Sequence, residues 1–178
     1  MTVYKFEERV PKIGKNTYIS KSATIIGDVT IGNGCFIGPG ARIKGDYGRI
    51  IIGDETSVQE NCVIHARPDE VCKIGSRVNI GHASTLHGCT VEDNAIIGMG
   101  SIISDWACIG EWAVVGEGAV VKQNQNIPAR KICVGVPAKI IGDVKEDYKK
   151  EYEYFKDTYV ELAKRYSKNL KRLDIENK

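Results

Sequence analysis

The sequence predicts an all-β solenoid, a parallel β-helix shaped as a triangular prism, followed by one C-terminal α-helix. Three observations support this fold class. Aliphatic residues recur at every sixth position, small residues follow them four positions later, and apolar residues near the C-terminus are spaced by three and four. A period of six fits neither an α-helix nor an alternating strand, and it is typical of coils that are built from three short strands each.

The six-residue period runs through most of the chain. Nineteen aliphatic residues occupy it, in four runs over positions 13–43, 52–64, 74–86 and 91–127. Four positions after them, 15 of the 19 sites carry Ala, Ser, Thr, Val or Cys, which are small enough to let the chain turn a corner. With three hexapeptides to a coil, the pattern predicts about six coils in a domain over residues 1–142.

Two interruptions of the period are predicted to be loops. Residues 46–51 (DYGRII) and 67–73 (RPDEVCK) separate the first three runs. Loops on a rigid scaffold are common places for binding and catalytic groups. We therefore expect both segments to border a functional site.

A C-terminal helix is predicted over residues 143–174. Asp143 and Glu146 have the spacing of a capping box at its N-terminus. Eight apolar residues then form one stripe at helical spacing: Tyr148, Tyr152, Phe155, Tyr159, Leu162, Tyr166, Leu170 and Leu173. We expect the stripe to pack along the prism of its own or of a neighbouring subunit.

Composition narrows the function classes. The formal net charge is only +2, and no cluster of Lys and Arg is interleaved with aromatic residues, so nucleic acid is not an expected partner. The first ten residues lack the apolar core of a signal peptide, and no apolar run is long enough to span a membrane. We therefore expect a cytoplasmic protein without membrane contact, in which the six cysteines are reduced thiols.

The three histidines of the chain lie within 23 residues of each other. His65 and His87 each directly follow an aliphatic residue of the same prism face, one coil apart, so their side chains should stack. His82 comes two residues after Ile80, on a different face, and should point away from the other two. Three imidazoles with an open position are typical of a catalytic zinc site. A threefold homotrimer would bring His82 of one subunit to His65 and His87 of the next.

Three segments resemble the motifs of the γ-class carbonic anhydrases, in particular the branch found in carnitine and phenylacetate operons. They are KGDYGR (residues 44–49), SVQENCVIH (57–65) and IGHASTLHG (80–88). The resemblance implies a left-handed coil. It also implies that His65, His82 and His87 are the metal ligands, with Zn²⁺ as the metal and Fe²⁺ as the alternative.

The same resemblance assigns four further residues to the site. Gln59 matches a glutamine that neighbours the metal-bound water, and Glu60 stands where the family usually has Asp. Lys44 and Asp46 occupy the positions of an Arg–Asp pair. Because lysine lacks the two-pronged donor of arginine, Lys44 is predicted to hold Asp46 by a single, weaker contact. The acidic proton-shuttle loop of the family has no clear counterpart; Asp69 and Glu70 are the nearest candidates.

Several functions remain open from the sequence. The leading hypothesis is a zinc-dependent hydro-lyase, in which metal-bound hydroxide attacks CO₂ at a subunit interface. The alternative is an acyltransferase or thioesterase that acts on a CoA thioester in the same cleft, with a histidine as base or a metal hydroxide as nucleophile. A third class is a non-catalytic metal-binding subunit.

Overall fold

The computed structural model describes residues 2–173 and shows a parallel β-solenoid with one C-terminal helix. The fold class predicted from the sequence is confirmed. The predicted domain limits at 1 and 174 fall on residues outside the described range. The strands are β1 Thr2–Tyr4, β2 Lys12–Ile13, β3 Tyr18–Ile19, β4 Thr24–Ile31, β5 Phe36–Ile37, β6 Arg42–Ile52, β7 Ser57–Val58, β8 Val63–His65, β9 Val71–Ile74, β10 Asn79–Ile80, β11 Thr85–His87, β12 Thr90–Val91, β13 Ile96–Ile97, β14 Ile102–Ile103, β15 Cys108–Ile109, β16 Val114–Val115, β17 Val120–Val121, β18 Asn126–Ile127, β19 Lys131–Val134 and β20 Lys139–Asp143.

The strands stack in parallel on three faces. Face one is formed by β1, β8, β11, β14, β17 and the first parts of β4 and β6. Face two is formed by β2, β9, β12, β15, β18 and the second parts of β4 and β6. Face three is formed by β3, β5, β7, β10, β13, β16 and β19, with β20 added antiparallel at its end.

Among residues 2–173, each face holds seven parallel strands, one more than the hexapeptide count predicts. The added coil at the C-terminal end includes Cys133, which pairs in register with Val115 and is fully buried. Cys133 lies six residues after Ile127, so it continues the period with a small hydrophobe instead of an aliphatic residue. At the other end, Val3 pairs with Ile25 and covers the first turn of face one.

The interior is a continuous ladder of aliphatic side chains. Ile43, Ile64 and Leu86 are stacked neighbours on face one and are at most 1% exposed. Burial of one such side chain contributes roughly 1.5–3 kcal/mol. The ladder therefore fixes the register of the residues that follow each aliphatic position and point outward.

The prediction of a loop at residues 46–51 is wrong. These residues continue β6, an eleven-residue strand that passes from face one to face two. Inward and outward side chains alternate before and after Asp46 and Tyr47, where the alternation shifts by one residue, and Ile50 and Ile52 are both buried. Of the second predicted loop, residues 71–73 belong to β9, and only the segment before them forms a turn.

The helix α1 spans Glu146–Asn169, and the predicted capping box is wrong. The N-cap residue is Lys145, and its side chain makes no capping hydrogen bond. Asp143 lies in β20, where its carboxylate pairs with Lys131. Glu146 accepts a hydrogen bond from Lys149 at 3.1 Å within the first turn.

Helix α1 packs on face three of its own chain. Ala163 is buried against Tyr18 and Phe36, and Tyr159 and Tyr166 flank this contact with their rings. The apolar stripe therefore docks as predicted through its middle. Its last two members do not dock, since Leu170 and Leu173 are exposed. No helix among residues 2–173 is both long and apolar enough to cross a membrane.

Candidate metal centre

The outward residues at the end of face one form a vertical row. Lys44 is the register neighbour of His65, and His65 is the register neighbour of His87. The row lies where face one meets face two, because each of these residues directly follows the last inward residue of its strand. The parallel register thus places two imidazoles on successive coils, about 4.8 Å apart along the solenoid.

The two imidazoles face each other. Nδ1 of His65 lies 3.1 Å from Nε2 of His87. The opposite nitrogen of each ring contacts a carboxylate: His65 Nε2 is 2.9 Å from Asp46 Oδ1, and His87 Nδ1 is 2.5 Å from Asp105 Oδ1. Because a carboxylate accepts hydrogen bonds, we assign the ring N–H groups to the nitrogens that contact Asp46 and Asp105.

This assignment leaves two lone pairs directed at each other. Two acceptor nitrogens repel at 3.1 Å unless a cation lies between them, either a shared proton or a metal ion. Two imidazole nitrogens bound to one tetrahedral Zn²⁺ would be roughly 3.4 Å apart. Histidine ligands of metals also characteristically donate their second N–H to a carboxylate. The residues present therefore fit half of a metal site.

Asp46 holds His65 and is itself held by Lys44. Lys44 Nζ lies 3.0 Å from Oδ2 of Asp46, while His65 contacts Oδ1. Partial burial raises the pKa of Asp46, but the hydrogen bonds from His65 and Lys44 outweigh it and lower this pKa to about 2. The carboxylate is therefore charged at neutral pH and able to orient the His65 ring.

Asp105 plays the same part for His87, although it belongs to none of the three sequence motifs. Its other oxygen contacts Arg67 at 3.1 Å, and the Arg67 guanidinium lies over the Trp106 ring at 5.0 Å. Burial raises the pKa of Asp105, but hydrogen bonds from His87 and Arg67 lower it below the usual value. Asp105 lies 18 residues after His87, which is one coil further on. The sequence signal for it is therefore an acidic residue at one coil length from a candidate ligand.

His82 lies at a different corner, in the turn between β10 and β11 where face three meets face one. Its Nδ1 is 2.5 Å from Oε2 of Glu60, one coil earlier, without the alignment of a hydrogen bond. Gln59 precedes Glu60 and is largely buried beneath helix α1. Within residues 2–173 of one chain, no three His, Cys, Asp or Glu side chains converge as a metal site.

The candidates for a proton shuttle lie in the turn between β8 and β9. Asp69 and Glu70 border a polar cleft of about 290 Å³ together with Tyr47 and Arg49. Arg49 Nε contacts Asp28 at 2.9 Å there. The structure shows no contact between these acids and His65 or His87 among the residues it describes.

The comparisons with known proteins agree with this fold. Residues 11–45 and 88–123 match the family described as bacterial transferase hexapeptide (six repeats). The chain is 37% identical over 147 residues to the carnitine operon protein CaiE of Escherichia coli K12, covering 83% of this chain and 75% of that protein.

Two solved structures are similar over nearly the whole chain. One is a Bacillus cereus protein provisionally assigned as an acetyltransferase, with a TM-score of 0.90, 37% identity, and 93% of this chain and 96% of that chain covered. The other is a hexapeptide transferase family protein from Anaplasma phagocytophilum, with a TM-score of 0.89, 30% identity, and coverage of 93% and 98%.

Proposed function

The chain belongs to the hexapeptide-repeat family, in the branch of the carnitine operon protein CaiE, and we propose that it is a metal-dependent enzyme that cleaves CoA thioesters. Two matched structures are described as transferases, one of them provisionally. These descriptions support the acyl-group alternative over the carbonic anhydrase class that the sequence motifs resemble.

One observation carries the proposal. Nδ1 of His65 faces Nε2 of His87 at 3.1 Å, and the other nitrogen of each ring contacts a carboxylate, which directs the two lone pairs at each other in the assigned tautomers. Side chains that merely filled a surface would not be held with two acceptors in contact. Such an arrangement is stabilised only by a cation, and imidazole is a common ligand of zinc.

The third ligand in this proposal is His82 of a neighbouring subunit. In one chain, His82 is at the corner of faces three and one, and the His65–His87 pair is at the corner of faces one and two. A threefold homotrimer would join the two kinds of corner, with three identical sites. A divalent ion bound there, Zn²⁺ or Fe²⁺, would lower the pKa of a coordinated water and polarise a carbonyl group.

The chain's own residues would orient the metal ligands and transfer the proton. Asp46 and Asp105 fix the ring tautomers, and Lys44 and Arg67 keep both carboxylates charged. Glu60, which contacts His82 in the same chain, would lie at the same site, and Gln59 would orient the attacking water there. We assign proton transfer to Glu60, because its Oε2 is buried and lacks an aligned donor.

The proposed reaction is the hydrolysis of a CoA thioester. The water oxygen bonds to the thioester carbon as Glu60 takes one proton. The carbon–sulfur bond then breaks, and the proton passes to the CoA sulfur, which gives a carboxylic acid and a thiol. Acyl transfer would follow the same course with an acceptor hydroxyl or amine in place of water.

CO₂ hydration is the second candidate, and one contact favours it. Lys44, Asp46 and His65 form an unbroken chain of contacts at 3.0 and 2.9 Å, in the places that the carbonic anhydrase motifs assign. The same activated water could attack this smaller electrophile. The two candidates differ in substrate and not in the groups that activate the nucleophile.

Parallel assays on zinc-loaded protein separate the two. We expect wild type to hydrolyse acyl-CoA thioesters and His65→Ala to lose this activity. Asp28→Asn is the control, since it removes a carboxylate that pairs with Arg49 without contacting a histidine. CO₂ hydration without thioester cleavage would favour the second candidate, and the absence of both activities would contradict the proposal.

A further inference from the structure

A groove of about 310 Å³ lies between helix α1 and the edge of face three. Its floor is formed by the outward side of β10 and β13, and the helix supplies its outer wall. Its lining includes Gln59, Asn79, Ile96, Met99 and Glu117 from the solenoid, and Tyr152 and Phe155 from the helix.

The groove runs beside the corner that carries His82. Gln59 and Gly81 line it, and the residues that follow them in the chain are Glu60 and His82, which contact each other at 2.5 Å. A molecule whose reactive end lay at this corner would therefore find the groove within reach of its remaining atoms.

The walls of the groove are largely apolar. Met99 and Phe155 are 51% and 43% exposed, although both are large hydrophobic side chains. The amide oxygen of Asn79 already accepts a hydrogen bond from Ser57 at 2.9 Å, so it does not need a polar ligand. Covering Met99 and Phe155 with carbon atoms would release the water that now contacts them.

The size of the groove exceeds what an acetyl group could fill. A cavity of about 150 Å³ in another protein binds benzene. About 310 Å³ therefore has room for a chain of several carbons or an aromatic ring. The rings of Tyr152 and Phe155, whose centroids are 5.9 Å apart, meet edge to face and give either group an aromatic wall to contact.

We propose that this groove receives the acyl chain of the thioester, and that the preferred substrate carries an apolar acyl group larger than acetyl. The inference rests on the proposed function, since it places the thioester carbonyl at the His82 corner. It goes beyond that function because it names the acyl class and the residues that select it.

The test uses thioether analogues of CoA that cannot be cleaved. Calorimetry should show that S-hexyl-CoA binds the wild-type protein at least tenfold more tightly than S-ethyl-CoA. Met99→Trp, which fills the groove, and Phe155→Ala, which removes its wall, should each reduce this ratio to less than threefold. Leu170→Ala is the control, because Leu170 directly follows helix α1, is 60% exposed and does not line the groove.

The outcomes separate this inference from the proposed function. Equal binding of both analogues by wild type, or a ratio that survives both groove variants, would overturn the acyl groove even if thioesters are cleaved. A chain-length preference that Met99→Trp or Phe155→Ala removes, in a protein that cleaves no thioester, would support the groove and contradict the proposed reaction.

Discussion

Charged side chains are paired differently in two regions: the histidine corner, which carries His65 and His87, and the helix-covered face, which lies against helix α1. At the corner, Asp46 and Asp105 each contact both a histidine and a basic side chain. Under the helix, Lys156 is fully buried, and among the described residues no carboxylate makes an ion pair with it. Its ammonium donates to the Asn94 carbonyl at 2.7 Å and lies 3.8 Å from the centre of the Trp112 ring.

The pKa values follow from this difference in partners. Opposite charges at the corner lower the pKa of Asp46 to about 2, so its charged form is favoured. Burial under the helix lowers the pKa of Lys156 to about 7, so its charged form is disfavoured. Paired charge fixes the geometry of the proposed site, whereas we expect the buried lysine to make the docking of helix α1 sensitive to pH.

The largest effect should come from removing one facing imidazole. His87→Ala leaves His65 without its partner, so we expect the content of bound Zn²⁺ to fall from about one per chain to less than a tenth of that. Elemental analysis of protein purified without chelators measures this, with Asp28→Asn as the control. Full zinc content in His87→Ala would place the metal elsewhere.

Removing a carboxylate behind a ring should have the next largest effect. Asp105→Asn keeps the shape of the side chain but removes the charge that fixes His87, so we expect zinc affinity to fall about 10- to 100-fold. Competition with a zinc-binding dye gives the affinity. An unchanged affinity in this variant would show that Asp105 does not orient the ligand.

The helix-covered face should respond to pH. Unfolding raises the pKa of Lys156 from about 7 to about 10.4, so the unfolded chain binds more protons between these values and stability rises with pH. Below pH 7 the cost of burying the charge is fully present. From pH 7 to 8.5 we expect the free energy of unfolding to gain about 1–2 kcal/mol in wild type, relative to Lys156→Met.

Urea unfolding at several pH values measures this difference. The window ends at 8.5 because burial raises the pKa of Cys35, Cys62 and Cys133 to about 11, which reverses the slope at higher pH. Parallel pH profiles of wild type and Lys156→Met would contradict the account of the helix-covered face.

The smallest effect should come from Lys44→Arg. Lys44 is half-exposed and contacts only Oδ2 of Asp46, since His65 occupies Oδ1. Exposed ion pairs contribute about 0–1 kcal/mol. The two-pronged guanidinium of arginine should therefore increase kcat/KM by less than about threefold. Steady-state kinetics on the preferred substrate checks this, and a tenfold gain would show that Lys44 limits catalysis.

Much of the fold could be predicted because one period governs it. Every buried aliphatic residue of the ladder has the same role, so Ile31 and Ile127 carry the same information. The prediction failed where the period changes in kind. Cys133 continues the period with a thiol instead of an aliphatic side chain. Strand β6 replaces a corner with extended backbone, in which Ile50 and Ile52 still point inward.

The candidate site was predictable where it lies on the periodic scaffold. The stacking of His65 on His87 follows from register alone. Asp105 was missed because it contacts His87 from the next coil, outside any short motif. Lys156 could not be predicted, since its burial depends on where helix α1 lies against Trp112 and not on any local pattern.

X-ray absorption at the zinc edge of the loaded wild-type protein tests the central claim most directly. We expect three imidazole nitrogens at about 2.0–2.1 Å from the zinc, supplied by His65, His87 and His82 of a neighbouring subunit. Sulfur ligands at about 2.3 Å, or fewer than two imidazoles, would contradict the claim that the facing pair is built to bind a metal ion.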